Sequence, residues 1–305
     1  LASLGNNLTL KAARGELDPV IGREAEIERA LDVLAKRRGN NPLFVGRPGV
    51  GRTATIRGLA QQLAASEPRG AAEPRALIEI PVVELLAGTG VRGALADRFG
   101  TLRKEVAAHG RVVLCFDDLP QLFGADAADE IAGELRAALA QGSLPCLGTA
   151  TPEQLTRLLG HDPGLARCFT VIEIEEPERA EAYLVVEAAS ERLAAHHGVA
   201  YSEAALARAV SWSIRYLPGQ ALPEKVIALA DLAGARASRR GERSVEVELM
   251  AELVAEQADV PLERLLESDG ERMLDLERLL GERVVGHEAE LYRVARILRR
   301  NAAGL

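Results

Sequence analysis

Gly46-Arg47-Pro48-Gly49-Val50-Gly51-Arg52-Thr53 is the stretch on which the reading of this chain turns. It matches the phosphate-loop pattern GxxxxGK[ST] at every fixed position but one, where Arg52 stands for lysine. A short apolar run, Leu43-Phe44-Val45, precedes it, and a helical pattern from Thr53 to Ala65 follows. The pattern requires that strand–loop–helix context. Backbone N–H groups of such a loop converge on phosphate oxygens, and the N-terminus of the next helix adds positive potential. Pro48, Gly49, Val50, Gly51, Arg52, Thr53 and Ala54 are therefore the candidate phosphate-side residues, with the Thr53 hydroxyl as a candidate Mg²⁺ ligand. Arg52 keeps the positive charge, but a planar guanidinium is longer than the compact ammonium it replaces.

Outward from the loop, apolar runs and helical patterns alternate. Strands are expected at 43–45, 77–83, 112–116, 144–149 and 171–174, and helices at 25–38, 53–65, 94–108, 128–140 and 152–159. This alternation predicts an α/β fold, a parallel sheet with helices on both faces. The run Val112-Val113-Leu114-Cys115-Phe116 fits a strand buried on both sides. The stretch 67–75, with Pro68, Gly70 and Pro74, reads as a surface loop. After Glu176-Pro177 apolar residues recur at helical spacing, among them Leu206, Val210 and Ile214, so a smaller helical domain is expected. Val245-Glu246-Val247 makes either one short strand or the start of the next helix. The expected divisions are 1–177 (α/β), 178–265 (helical) and 266–305. The last follows from a repeat: Val20-Ile21-Gly22-Arg23-Glu24-Ala25-Glu26 returns as Val285-Gly286-His287-Glu288-Ala289-Glu290. A second module is thus expected to begin near Val284.

Composition narrows the classes. The 305 residues suffice for two cores. A net charge of −8 argues against a nucleic acid as the principal partner. No run approaches the ~18 apolar residues of a membrane span. Cys115, Cys146 and Cys168 have no CxxC spacing and fit reduced thiols of a cytoplasmic protein. The chain opens on Leu1 without a Met, as a segment of a longer polypeptide would.

A second motif sits on the central apolar run, which ends in Asp117-Asp118. A carboxylate at the end of such a strand is suited to hold Mg²⁺ beside the phosphates, which makes Asp117 a candidate metal ligand. The next acid is suited to polarise a water as general base. Here it is Asp118, one methylene shorter than glutamate.

With both motifs in place, the chain resembles the first AAA+ module of the Clp unfoldases. The strings Leu17-Asp18-Pro19-Val20-Ile21-Gly22-Arg23-Glu24, Gly148-Thr149-Ala150-Thr151, Ala195-His196-His197-Gly198-Val199 and Leu222-Pro223-Glu224-Lys225-Val226-Ile227 carry the likeness, in the same order and over essentially the whole chain. The resemblance implies an AAA+ P-loop NTPase domain with Walker A- and B-type motifs and a smaller helical lid. It also implies ATP or ADP with Mg²⁺, self-association into a hexameric ring, protein clients, and neither membrane nor nucleic acid. Val20 and Ile21 would touch adenine. Arg167 would be an arginine finger reaching a neighbouring subunit's nucleotide, and Lys225 would approach the nucleotide from the lid side. His196-His197 are expected at a solvated helix end rather than as a metal pair.

Five positions depart from that family's pattern: Arg52, Asp118, Ala150 in place of a polar residue, Cys168 beside Arg167, and Val91 in place of an aromatic in Gly90-Val91-Arg92-Gly93. Three readings follow. The chain is an ATP-binding module with weak or lost hydrolysis and an assembly or regulatory role, an active ATPase motor module driving protein unfolding, or a scaffold that keeps only the fold.

Overall fold

A computed structural model describes the chain except for residues 1–4, 38, 66–75, 87–93, 124–136, 140–143, 162, 267–279, 282–283, 285 and 303–305. Two compact units emerge, Leu1–Arg192 with Pro218–Ala228, and Leu193–Leu217 with Leu229–Leu305.

The first unit is built on a six-stranded sheet with strand order β1-β3-β4-β5-β2-β6. Its strands are β1 (Asn6–Asn7), β2 (Asn41–Val45), β3 (Ala76–Glu79), β4 (Val112–Phe116), β5 (Cys146–Ala150) and β6 (Phe169–Glu173). All pair in parallel except β1, which runs antiparallel to β3. Helices α1 (Leu8–Ala13), α2 (Glu24–Leu34), α3 (Arg52–Ala65), α4 (Val82–Leu86), α5 (Ala94–His109), α6 (Pro152–His161) and α7 (Pro163–Ala166) connect them. Alternate residues of β4 enter different cores: Leu114 and Phe116 pack with Phe99 and Leu102, while Val113 and Cys115 pack with Ile56 and Leu59. This two-sided burial is why the strand reads as a continuous apolar run. Because β4, β5 and β2 are adjacent and parallel, their C-terminal ends lie side by side: Val45 stands opposite Ala150, and Phe116 opposite Gly148, two residues before the end of β5. Ligands of open α/β sheets bind at such strand ends.

The boundaries differ from expectation where local chemistry intervenes. The strand expected over 77–83 stops at Glu79, because Pro81 donates no N–H and its carbonyl accepts Leu85 N–H to open α4. The helix expected to Arg38 ends at Leu34. Two-residue β1 carries no period a sequence pattern detects; Asn7 caps α1 through Leu10 N–H at 2.9 Å. The expected loop at 67–75 and most of the expected helix at 128–140 lie outside the described residues.

At the sheet's other end β6 is an edge, with Val171 and Glu173 exposed. An open cleft of about 710 Å³ beside it is lined by Glu24, Glu26, Glu173, Glu175, Glu178 and Glu181, among others.

The second unit takes the end of α8 (Arg179–His197), then β7 (Ala200–Tyr201), α9 (Glu203–Tyr216), most of α10 (Glu224–Arg240), β8 (Ser244–Val245), α11 (Val247–Ala258), α12 (Glu263–Leu266) and α13 (Glu288–Ala302). Residues 245–247 thus do both things foreseen for them: Val245 closes a strand paired with β7, and Val247 opens α11. His197 departs from expectation. Its side chain is only 12% exposed and its Nε2 lies 2.7 Å from Asp231 Oδ1. Tyr201 OH donates to the Ala230 carbonyl at 2.9 Å. Both rings lie over Gly234, where a Cβ would collide with each. The repeat is also a repeat of backbone shape. Gly22 and Gly286 have φ of +75° and +77°, and a helix starts two residues later in each case, at Glu24 and Glu288.

Gly234→Ala is therefore expected to destabilise the chain by about 1–3 kcal/mol through overpacking, read as a lower urea midpoint. Burial pushes the Cys115 thiol well up, helped by the Asp117 charge, and burial also raises Cys146. With Cys168 also buried, a disulfide reagent at pH 8 should modify none of the three until denaturant is added.

Candidate functional site

The loop after β2 is shaped by its glycines. Gly49 and Gly51 have φ of +87° and +100°, a backbone that residues with side chains adopt only at a cost. Gly46 is required for space, since a Cβ there would lie 2.5 Å from the Ile174 carbonyl oxygen. Thr55 closes the first turn of α3, its N–H and hydroxyl both donating to Gly51 O, at 2.9 and 3.0 Å. Among the described residues, the buried Arg52 Nη1 atom has no hydrogen-bond partner. An unsatisfied buried donor costs about 1–3 kcal/mol, more when charged, and an anion at the loop would relieve that cost.

Arg23 holds the loop from behind. Its guanidinium is 8% exposed. Nη2 donates to Val50 O at 2.8 Å and Glu175 O at 2.9 Å, while Nη1 pairs with Glu26 at 2.9 Å. Beside Arg23 is a cavity of about 70 Å³ whose walls include Val20, Ile21, Gly51, Ala54, Val185 and Pro223. These walls are mostly apolar, as a planar base requires.

The acidic pair stands at the end of β4. Asp117 receives two hydroxyls: Thr53 Oγ1 donates to Oδ2 at 2.8 Å and Thr149 Oγ1 to Oδ1 at 2.6 Å. Thr149 is fully buried and also accepts Asp118 N–H at 2.8 Å. Asp118 adopts a left-handed φ of +61°, which aspartate tolerates better than most residues. Both of its oxygens receive glutamine amides. Gln154 Nε2 donates to Oδ1 at 2.7 Å, and Gln121 Nε2 donates to Oδ2. Gln154 is itself fixed in a capping box: it accepts Thr151 N–H at 2.7 Å while its own N–H donates to Thr151 Oγ1 at 3.2 Å.

These residues fit a nucleoside phosphate with a divalent cation. The glycine-shaped loop and Arg52 would hold phosphate, Thr53 and Asp117 would hold Mg²⁺, and the apolar cavity would hold the base. Lys225 is buried, 5% exposed, and its Nζ lies 3.7 Å from Glu176 Oε1. It belongs to the same unit as the loop. Arg167 is not brought to this cluster. It is exposed and precedes β6, whereas the loop follows the far end of the parallel strand β2. A five-residue strand separates those levels by roughly 16 Å. Ala150 is buried, with its carbonyl accepting Gly46 N–H. Val91 lies outside the described residues.

The family description "ATPase family associated with various cellular activities (AAA)" matches residues 42–160, and "AAA lid domain" matches residues 178–278. The chaperone protein ClpC2 of Arabidopsis thaliana is 30% identical over all of this chain and 39% of its own length. ClpB of Oceanobacillus iheyensis is 30% identical over all of this chain and 46% of its own. The solved ADP complex of Hsp104 from S. cerevisiae superposes with a TM-score of 0.88, at 31% identity, over all of this chain and 53% of that one. The chain is a Clp-type AAA+ module. A second Hsp104 structure, described as a closed state with ATPγS and FITC casein, gives a TM-score of 0.80 at 31% identity, over all of this chain and 53% of that one. The chain thus spans about half the length of the proteins it matches, or less.

This AAA+ module uses several residues that the sequence alone did not single out. Thr151-x-x-Gln154 spells a capping box, so a fixed Gln154 was readable, but its reach to Asp118 was not. The sequence offers Thr149, like Thr151, only as a polar neighbour that could make good the loss at Ala150. Nothing in sequence marked Arg23 as buried or Glu176 as a partner of Lys225. Breaking a buried, paired guanidinium leaves carbonyls and a carboxylate unsatisfied. Arg23→Met should lower unfolding free energy by about 3 kcal/mol. Arg23→Lys, which cannot span both carbonyls, should recover less than half of that in a denaturant titration.

Proposed function

We propose that this module binds ATP or ADP with Mg²⁺, hydrolyses it weakly or not at all, and serves assembly and regulation in a Clp-like protein-remodelling machine. The reading includes the α/β division at 1–177, a lid at 178–265, and a connector with the start of a second module from 266. It also includes a hexameric ring, in which Arg167 would serve a neighbouring subunit's site, and protein clients, for which the casein complex of Hsp104 is the precedent. A reducing compartment such as the cytoplasm suits three buried thiols. Among the described residues no helix is long and apolar enough to cross a membrane.

The observation that carries the proposal is the state of Asp118. Binding and chemistry make different demands on the site. Binding needs the loop amides, a cation, and the Thr53–Asp117 pair, all of which stand ready. Hydrolysis further needs a carboxylate free to take a proton from water. The Asp118 side chain is one methylene short and has both oxygens engaged by glutamine amides. The bound nucleotide supplies the phosphoryl group that this family transfers to water. This chain's residues orient it, shield its base and neutralise its charge. Loss of a transition-state contact of about 3 kcal/mol slows such a reaction by roughly two decades without weakening binding.

A second reading, an active motor module, is favoured by one observation: the Thr149 hydroxyl stands 2.6 Å from Asp117 and offers the polar group that Ala150 does not. Calorimetry and turnover on the longer, ring-forming polypeptide separate the two. We expect Mg²⁺-dependent ATP binding with turnover far below 1 s⁻¹, and a gain of about tenfold or more in Asp118→Glu/Gln154→Ala with the binding constant unchanged. Wild-type turnover of about 1 s⁻¹ or faster, within the ordinary enzymatic range, would establish the motor instead.

A further inference from the structure

Glu176 is the residue at which three parts of the site meet. It follows β6, and the carbonyl of the preceding residue, Glu175, is held by Arg23. Its Oε1 accepts Leu222 N–H at 2.7 Å and lies 3.7 Å from Lys225 Nζ. Its Oε2 lies 3.7 Å from Arg47 Nη1, on the phosphate loop. The segment Ala221 to Lys225 also touches the loop directly, with Glu224 N–H donating to Gly49 O at 3.3 Å. Pro223 from the same segment lines the cavity beside Gly51. One carboxylate thus ties the loop, the exit of β6 and one wall of the base cavity together.

We propose that Glu176 is a positioning residue whose carboxylate locks the 221–225 segment against the phosphate loop and so sets how fast a bound nucleotide leaves. The proposal rests on the nucleotide-binding reading above. Its strength lies in the Leu222 bond. A short N–H···O⁻ bond from backbone to carboxylate is roughly twice as strong as a neutral one. The two ion pairs are looser, and Arg47 is half exposed, so its pair adds little. The Lys225 ammonium is different. Its side chain is 3% exposed, and opposite charge nearby offsets part of the cost of withdrawing a cation from water. Glu176 supplies such charge from the side of the cavity wall. For the wall to swing away from the cavity, Leu222 N–H must leave its acceptor and Lys225 must leave that charge.

The test uses the 305-residue chain in two experiments. Stopped-flow release of a fluorescent N-methylanthraniloyl ADP gives the dissociation rate. Hydrogen exchange on the nucleotide-free chain gives the protection of the Leu222, Glu224 and Lys225 amides. Glu176→Ala should speed release about tenfold and deprotect those amides, while leaving the exchange of β4 and β5 unchanged. Glu176→Gln keeps an acceptor for Leu222 N–H but loses the charge, so it should fall between wild type and Glu176→Ala in both readouts. Unchanged release and unchanged exchange in both variants would overturn the lock. So would exchange that rises uniformly through the unit, which would mark Glu176 as merely structural. If the wild-type chain takes up no nucleotide, the binding reading fails, and the exchange experiment still decides the lock by itself.

Discussion

A single buried guanidinium constrains the site more than any other group. Arg23 reaches Val50 O on the phosphate loop and Glu175 O beyond β6 with one nitrogen, so the loop cannot shift without carrying the chain's path out of the sheet with it. Glu26 makes this affordable, since it balances the charge within the same turn of helix. Gly58 completes the arrangement from the other side. A Cβ there would stand 2.7 Å from Ile27 Cδ1 and 3.2 Å from Val20 Cβ, so glycine leaves room for both side chains to lie against α3. Val20 and Ile21 are thereby brought beside the loop, in the lining of the cavity that Arg23 also borders.

The acidic pair divides the work of the site unevenly. Asp117 is served by two hydroxyls, which leave lone pairs available on Thr53 and on the carboxylate itself. Asp118 is served by two amides from separate elements, the 3₁₀ turn after β4 and the start of α6. Rigid support of a charged group ordinarily aids catalysis when the group points at the reacting atoms. Here the support goes to a side chain one methylene shorter than glutamate, with both of its oxygens held.

The sequence disclosed the parts of this protein whose physics is local. The phosphate loop depends on glycines at fixed offsets, and the buried strands depend on unbroken apolar runs; both can be read without knowing the fold. The strand around Leu77 is shorter than its apolar run because Val82 and Val83 suit a strand and a helix alike, and Pro81 decides between them by lacking a donor. The contacts of Arg23, Gln154 and Glu176 join residues far apart along the chain, such as 23 with 175 and 176 with 222. No periodicity encodes those pairings. His197 was misjudged for a related reason. A histidine near a helix end is ordinarily wet, but this one packs over a glycine 37 positions later whose missing Cβ makes room for it.

The two borders of the sheet are protected by different means. On one side β1 pairs with β3 and takes up part of its hydrogen-bonding edge. On the other, β6 is the border strand among the described residues, with Val171 exposed, the kind of edge through which chains join into fibrils. The glutamates around it, Glu173, Glu175 and Glu178 among them, turn that liability aside: two copies meeting border to border would press like charges together. The acidic border thus opposes close approach of crowded copies of the chain along that side of the sheet.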